Sequence, residues 1–188
     1  MNFTGALIDR VCHDVEIEPN LEPVPENMIF NRTTNRSDDA RADIRACGFW
    51  RPGQNSFFDI CVTNTESNSY NKRAVSAILR SKENSKKNQY NQRIMNVDHG
   101  TFTPLVFSVR GVMGHECLKF YKSLAQKLAE KSGEKYDDII KYIRVKVSLL
   151  SLRSSLLCVR GTRKCTKSNS PSTDEGIDFG LKLNYIMN

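Results

Sequence analysis

The first 66 residues of this 188-residue chain contain no lysine. Their charges come from 6 arginines and 11 acidic residues, a net charge of −5. The rest of the chain carries 22 basic and 10 acidic side chains, a net charge of +12. An acidic first third followed by a basic remainder suits a polyanionic partner that the basic part holds electrostatically. A basic surface that is merely solvated is the alternative.

Several kinds of site and segment are also missing. The six cysteines form no CxxC pair and have no cysteine–histidine spacing of the zinc-finger kind, so a structural zinc site is not expected. His115-Glu116-Cys117 lacks the second histidine of a zinc-protease helix. The sequence has no run of 18 apolar residues and no apolar N-terminal signal segment. We therefore expect no membrane span, reduced thiols, and a location in the nucleus or cytoplasm.

The segment from Arg41 to Val62 is predicted to form a β-hairpin. Its two arms alternate between apolar and polar residues, and residues 51–55 between them have the composition of a turn. One face is predicted to carry Ala42, Ile44 and Ala46 from the first arm with Phe58, Ile60 and Val62 from the second. The other face is predicted to carry Asp43 from the first arm, with Phe57, Asp59 and Cys61 from the second.

Each arm of this hairpin contains one acid. The turn is expected to set Asp43 opposite positions 60 to 63, where it converges with Asp59 and Cys61. Two close carboxylates repel unless a cation lies between them, and Mg²⁺ binds one or two carboxylates together with waters and phosphate oxygens. One interpretation is therefore a site for Mg²⁺ (or Mn²⁺) at Asp43 and Asp59. The other is a pair of solvent-facing acids on an edge hairpin.

Hydrophobic periodicity predicts the remaining elements. Residues 3–15 should begin as a helix, and residues 16–24 should form an irregular edge strand. A long helix is predicted over 70–97, and a central strand buried on both faces over 101–108. Two further helices are predicted over 115–132 and 136–160. Residues 1–165 should form a single domain, and residues 166–188 a polar, disordered tail.

Two basic segments are candidates for contact with nucleic acid. The predicted helix over 70–97 has seven basic residues and one acid, Glu83, and residues 141–167 have eight basic residues and no acid. Basic side chains on helices are typical contacts for the phosphates of a nucleic acid, and a purely solvated face is the alternative. The candidate contacts are Lys72, Arg73, Arg80, Lys82, Lys86, Lys87, Arg153 and Arg160.

Four segments resemble a known family: RADIRACGFW, FFDICV, VDHGTFTPLVFS and LRSSLLCVRGTRK. With the predicted order α–β–β–β–α–β–α–α, the chain resembles the PD-(D/E)XK, or restriction-endonuclease-like, nuclease superfamily. More narrowly, it is similar to a domain encoded beside reverse transcriptases in mobile elements of animal genomes. The resemblance runs from about Phe3 to Lys164. It implies an α/β fold with an α-β-β-β-α-β core, a mixed central sheet flanked by helices, and additional C-terminal helices.

The resemblance also implies roles for the hairpin residues. Asp43 and Asp59 would be the two metal ligands of the motif. The third catalytic position falls on Cys61, where the superfamily has lysine and the narrower family has arginine. Arg45, Lys72 or Arg73 are candidates for supplying the missing cation. The first helix starts later than in relatives, and their upstream Cys/His-rich stretch is missing, which indicates a fragment of a longer open reading frame.

Three functions are compatible with these features. The first is a Mg²⁺-dependent DNA endonuclease domain that nicks target DNA for the integration of an element. The second is a nucleic-acid-binding remnant that keeps the fold but has lost turnover through Cys61 and the shortened first helix. The third is a structural domain that docks a reverse transcriptase of the same element, with incidental acids. Metal binding would separate the first two from the third, and hydrolysis would separate the first from the second.

Overall fold

The computed structural model describes residues 3–70 and 73–161, and the predicted tail after residue 165 lies outside them. The chain is a mixed α/β protein, and the predicted order of helices and strands is confirmed. The elements are α1 (Phe3–Asp9), β1 (His13–Ile17), β2 (Ile44–Cys47), β3 (Asn55–Thr63), α2 (Val75–Asn96), β4 (Thr101–Ser108), α3 (His115–Ser132) and α4 (Tyr136–Gly161).

The four strands form one mixed sheet in the order β1-β2-β3-β4. Strand β2 is antiparallel to both of its neighbours, whereas β3 and β4 are parallel and are connected through α2. Strand β4 is therefore an edge strand of this sheet and not the central strand that was predicted. An edge position accommodates Pro104, which has no amide hydrogen for a sheet ladder.

Strand β4 is nevertheless buried at every position after its first residue. The segment that follows it folds back along the strand: Ser108 N donates to Val112 O at 2.8 Å, and Gly114 N donates to Val106 O at 2.8 Å. The predicted burial on both faces is therefore confirmed. The apolar run of β4 correctly predicted burial, but burial alone does not distinguish a central strand from an edge strand that is covered by other segments.

The N-terminal part departs most from the sequence prediction. Helix α1 ends at Asp9, and β1 begins at His13, three residues before the predicted strand. Asp14 and Glu18 have positive φ angles of 49° and 55°, and the β1–β2 register shifts between His13 and Glu16. These left-handed backbone positions occur at non-glycine residues, so the composition of the segment gave no signal for them.

The β2–β3 hairpin forms as predicted, and neighbouring residues of β3 face opposite sides of the sheet. Phe58, Ile44 and Ala46 belong to a large apolar cluster on one side, and Phe57 belongs to a smaller cluster on the other. Ala42 was predicted to share the face of Ile44, but it lies in the smaller cluster. The chain bends at residue 43, immediately before β2, which breaks the alternation of the strand.

The sheet therefore has two differently covered faces. Helices α1, α3 and α4 pack on the side of Phe58, and we call this side the apolar face. Helix α2 packs on the side of Phe57 through Tyr90 and Ile94, and we call this side the α2 face. The alternation of β3 places Asp59 and Cys61 on the α2 face, together with Phe57.

Candidate functional site

Asp43 lies at the bend before β2 and points toward β3. Its amide donates to Phe58 O at 3.0 Å, and its Oδ2 accepts a hydrogen bond from Ile60 N at 2.6 Å. The last residue pair of the hairpin ladder is Ile44 with Phe58, so Asp43 lies opposite Asp59. The sequence prediction, opposite positions 60 to 63, was off by at least one residue. The hairpin closes with Cys47 opposite Asn55, which fixes this tighter register.

Asp59 is the most buried acid of the hairpin, with 7% of its surface exposed. Lys86, from α2, places its Nζ 3.2 Å from Oδ1, to which it donates a hydrogen bond, and 2.9 Å from Oδ2. Oδ2 is fully buried, and the contact with Lys86 is too poorly aligned to count as a hydrogen bond. Burial raises the pKa of Asp59, and the positive charge of Lys86 opposes this shift.

The pKa of Lys86 is also raised, although burial acts on it in the opposite direction. Burial alone would lower the pKa of Lys86, but the charge of Asp59 and the hydrogen bond to it outweigh burial, so the pKa is raised. Lys86 is therefore an ammonium ion at neutral pH. Its Nζ also lies 5.5 Å from the centre of the Tyr90 ring, a cation–π contact one helical turn further along α2.

Cys61 lies two residues beyond Asp59 on the same face of β3. Burial raises the pKa of its thiol, the nearby charges of Asp59 and Asp43 raise it further, and Lys86 and Lys82 lower it. The thiol is therefore protonated at neutral pH and carries no charge. The structure thus brings the three hairpin residues of the predicted site together, and it adds two lysines from α2.

Lys86 occupies a sheet-facing position of α2 within a polar stretch of the helix. The apolar stripe of the helix breaks between Leu79 and Tyr90. Counting from Leu79 at steps of four and three gives Glu83, Lys86 and Tyr90. The stripe therefore continues through the interruption with charged residues. This spacing was the available signal for Lys86.

Glu83 is the second charged residue of this stripe, and it caps α3. Only 3% of its surface is exposed, and its Oε1 accepts a hydrogen bond from Glu116 N at 2.9 Å, in the first turn of α3. The residue preceding α3 is Gly114, which has no side chain to cap the helix. Burial raises the pKa of Glu83, and backbone hydrogen bonds from Glu116 and Cys117 oppose that shift. Lys87 stands beside this cap, with its Nζ 2.7 Å from Glu116 Oε1.

Arg93, one of the seven basic residues of the predicted helix, is fully buried. Its guanidinium donates to the backbone carbonyls of Ser37 at 2.8 Å, Glu22 at 2.8 Å and Asn35 at 3.1 Å. Burial lowers the pKa of Arg93, and the negative charges of Asp98 and Asp38 oppose the shift, with the larger effect from Asp98. Arg93 therefore connects α2 to the irregular segments around Glu22 and around residues 35–37, and it is not a phosphate contact.

The predicted nucleic-acid contacts fall into separate groups. Arg73 and Arg80 are exposed, Lys82 is half-buried beside Cys61, and Arg153 is exposed on α4. Lys86 and Lys87 are held in ion pairs. Lys72 and the side chain of Arg160 lie outside the described residues. Arg45 was one of the residues expected to replace the missing cation. Its guanidinium forms an ion pair with Glu16 on β1, at 2.8 Å.

The group around Asp59 has limited means of holding a metal ion. Among the described residues, no three His, Cys, Asp or Glu side chains are placed to hold one together. Two carboxylates suffice for Mg²⁺ when waters and phosphate oxygens complete its coordination, and Asp43 and Asp59 could supply them. The poorly satisfied Oδ2 of Asp59 fits this use, although a metal ion would have to compete with Lys86 for it.

A scan of protein-family models and a search of curated proteins give no match for this chain. In the part of the chain that the structure describes, no helix combines the length and the hydropathy needed to cross a membrane. A functional interpretation therefore rests on the group of charged residues around Asp59.

Proposed function

We propose that this chain is a metal-dependent DNA endonuclease domain of the PD-(D/E)XK kind in which Lys86 replaces the missing third residue of the motif. One observation carries the proposal. The ammonium of Lys86 lies 2.9 Å from Asp59 Oδ2, on the face of β3 that also carries Cys61. The cation that the motif requires at position 61 is thus supplied by a neighbouring helix.

The arrangement of the sheet supports the same proposal. A helix precedes three strands, α2 follows β3, and β4 lies beside β3 in a parallel sense. This is the α-β-β-β-α-β order that the resemblance implied, with α3 and α4 as the additional helices. Asp43 lies immediately before β2 and Asp59 lies on the adjacent strand β3, and the resemblance assigns the two acids of the motif to these residues.

Each residue has a chemical role in this proposal. When bound, Mg²⁺ or Mn²⁺ would lower the pKa of a coordinated water and neutralise charge on the scissile phosphate. Asp43 and Asp59 would hold the ion, and the hydrogen bond from Ile60 N orients Asp43. Lys86 would orient the attacking water or stabilise the charge that develops on the phosphate. Cys61 contributes no charge because its thiol is protonated.

The substrate follows from charge and from the narrower resemblance. Arg80 and Lys82 on α2, and Arg73 just before it, are available for contact with a phosphate backbone. Similarity to domains encoded with reverse transcriptases makes target DNA the proposed substrate, which would be nicked before an element integrates.

A second function is favoured by the ion pair itself. Lys86 already neutralises Asp59, so the pair could have replaced the metal ion instead of working beside it. The chain would then be a nucleic-acid-binding remnant without turnover. The two functions differ in their response to Mg²⁺, because only the first requires the ion.

Nicking of supercoiled plasmid DNA in the presence of Mg²⁺ or Mn²⁺ tests the proposal. We expect nicking by the native chain and losses of at least about a hundredfold in Asp43→Asn, Asp59→Asn and Lys86→Met, comparable to the removal of one electrostatic donor from other active sites. Lys122→Met is the control, since it removes one exposed lysine from α3, on the apolar face of the sheet. It should retain most of the rate.

Three results would count against an active nuclease. The first is the absence of nicking with either metal, combined with retained DNA binding, which would establish the remnant. The second is nicking that survives Asp59→Asn. The third is equal activity of Lys86→Met and the native chain, which would remove the lysine from the site.

A further inference from the structure

Helix α4 has a second apolar face that points away from the rest of the described protein. Its inner face, which includes Ile143 and Val147, is buried in the large apolar cluster. On the opposite side, a row of large side chains has between 50% and 61% of its surface exposed. We call this row the outer stripe, and it consists of Tyr142, Val145, Leu149, Leu152 and Leu156. Phe3 of α1 lies against Tyr142 at one end of the stripe, with ring centres 6.3 Å apart, and each of the other four side chains has more than half of its surface exposed.

The spacing of the outer stripe is that of a coiled-coil seam. Its members alternate at intervals of three and four positions, with Tyr142, Leu149 and Leu156 at a positions and Val145 and Leu152 at d positions. Such a stripe is narrow, whereas helices that lie on membranes present a broader apolar face. The geometry therefore fits a single partner helix.

The charged residues that flank the outer stripe are all basic, and the other two g positions, Ser148 and Ser155, are neutral. Lys141 takes a g position and Lys146 and Arg153 take e positions, and no acid occurs between residues 139 and 161. In a parallel pair with a second copy, Lys141 would face Lys146. In an antiparallel pair, identical flank positions would meet. Both orientations bring like charges together, which disfavours a second copy of this chain.

We propose that the outer stripe binds an amphipathic helix of a partner protein that carries apolar residues at its a and d positions and acidic residues at e and g. Leucines of the partner would pack between the exposed side chains of α4. Its carboxylates would pair with Lys141, Lys146 and Arg153. This interaction surface is separate from the group around Asp59, and its test does not depend on nicking.

Titration of the full chain with a fluorescent three-heptad peptide tests the proposal. One peptide has leucine at a and d and glutamate at e and g, and its matched control has lysine at e and g. Anisotropy should show binding of the glutamate peptide. The lysine peptide should bind at least about tenfold more weakly, because its lysines would face Lys141, Lys146 and Arg153. Leu149→Ser should weaken binding of the glutamate peptide about tenfold or more.

Two further variants separate recognition from loss of structure. Arg144→Ser changes an exposed residue at a c position of the same helix and should leave binding unchanged. The double variant Lys146→Glu with Arg153→Glu should prefer the lysine peptide over the glutamate peptide. A reversal of preference requires a folded, correctly placed helix, so misfolding cannot imitate it.

Several outcomes would overturn the proposal. Failure of the native chain to bind the glutamate peptide would do so, as would a peptide preference that the charge reversal does not change. Self-association of the native chain that Leu149→Ser abolishes would assign the stripe to a second copy. Binding to anionic phospholipid vesicles through the same leucines, without peptide binding, would assign it to a membrane surface.

Discussion

The two faces of the sheet are held together by different forces. On the apolar face, Phe49, Phe58 and Phe120 pack with ring centres 4.8 to 5.2 Å apart, and the surrounding residues are almost all apolar. On the α2 face, the buried positions of the helix include Glu83 and Arg93, and the half-buried Lys86 contacts a buried aspartate.

This difference indicates where function resides. Apolar packing is non-directional and contributes directly to stability. Buried charges lose their hydration, and a buried ion pair is weak support for stability because that loss offsets its attraction. The α2 face retains such charges in the middle of a helix, and perturbed ionisable groups of this kind cluster at functional sites.

Phe120→Ala should cause the largest loss of stability. The side chain is fully buried and contacts three other rings of the apolar face, so its removal leaves a cavity. We expect the free energy of unfolding to fall by about 3–5 kcal/mol in urea denaturation. Ile29→Ala, at a residue that is 93% exposed, is the control and should change it by less than about 0.5 kcal/mol. A loss below about 1 kcal/mol at Phe120 would show that this face is not the main source of stability.

Arg93→Met tests whether the α2 face depends on directional contacts. Its removal leaves several backbone carbonyls without their donor, and we expect a loss of about 2–4 kcal/mol in the free energy of unfolding. Arg93→Lys should recover little, since one ammonium cannot reach both segments. Arg80→Met, exposed on the same helix, is the control. A neutral or stabilising Arg93→Met would mean that apolar packing serves this face equally well.

The cap between α2 and α3 should show coupling between two residues. Glu83→Ala removes the acceptor for Glu116 N and should cost about 1–2 kcal/mol, as the loss of other helix caps does. A Cβ on Gly114 would overlap Glu83 Oε1, so Gly114→Ala should also destabilise the protein. In the Glu83→Ala background, the Gly114→Ala substitution should cost much less. Additive losses in a double-mutant cycle would show that the two residues do not meet.

The smallest effect is a change in the titration of Asp59. Burial raises its pKa above the ordinary value of 3.8, and Lys86 opposes the shift, so Lys86→Met should raise the pKa further. Carbon-13 NMR of the carboxyl group measures this directly. Because the folded-state pKa is raised, stability from protonated Asp59 is fully present below pH 3.8 and is lost as the pH rises through the folded-state pKa. In Lys86→Met, the stability contributed by protonated Asp59 should be lost at a higher pH than in the native chain. A lower pKa in the variant would contradict the ion pair.

The sequence predicted the fold best where one physical signal dominated. The apolar run of β4, the periodicity of α3 and Gly133 at the end of α3 gave the observed bounds, and Gly133 has the left-handed φ of 74° that such a position favours. The bounds of α1 and β1 were wrong because positive φ at Asp14 and Glu18 leaves no trace in composition.

The candidate site was only partly predictable for a related reason. The alternation of the hairpin correctly placed Asp59 and Cys61 on one face. Lys86 was named only as one of several basic residues on a helix, because its partner lies 27 positions away in the chain. Contacts between a helix and a distant strand depend on the packing of the whole sheet. Helical periodicity, however, identifies which charged residues of α2 face inward, because Glu83 and Lys86 continue the spacing of the buried Leu79.

Calorimetric titration of the chain with Mn²⁺ measures whether Asp43 and Asp59 bind a metal ion. The native chain should bind the ion through Asp43 and Asp59, and Asp43→Asn or Asp59→Asn should abolish that binding. Lys86→Met should bind about tenfold more tightly, because the competing ammonium is gone, and yet should lose nicking. Tighter binding together with lost cleavage would place Lys86 in the reaction and not in metal retention. Binding that is absent in both the native chain and Lys86→Met, or that persists in both aspartate variants, would contradict a metal site on the α2 face.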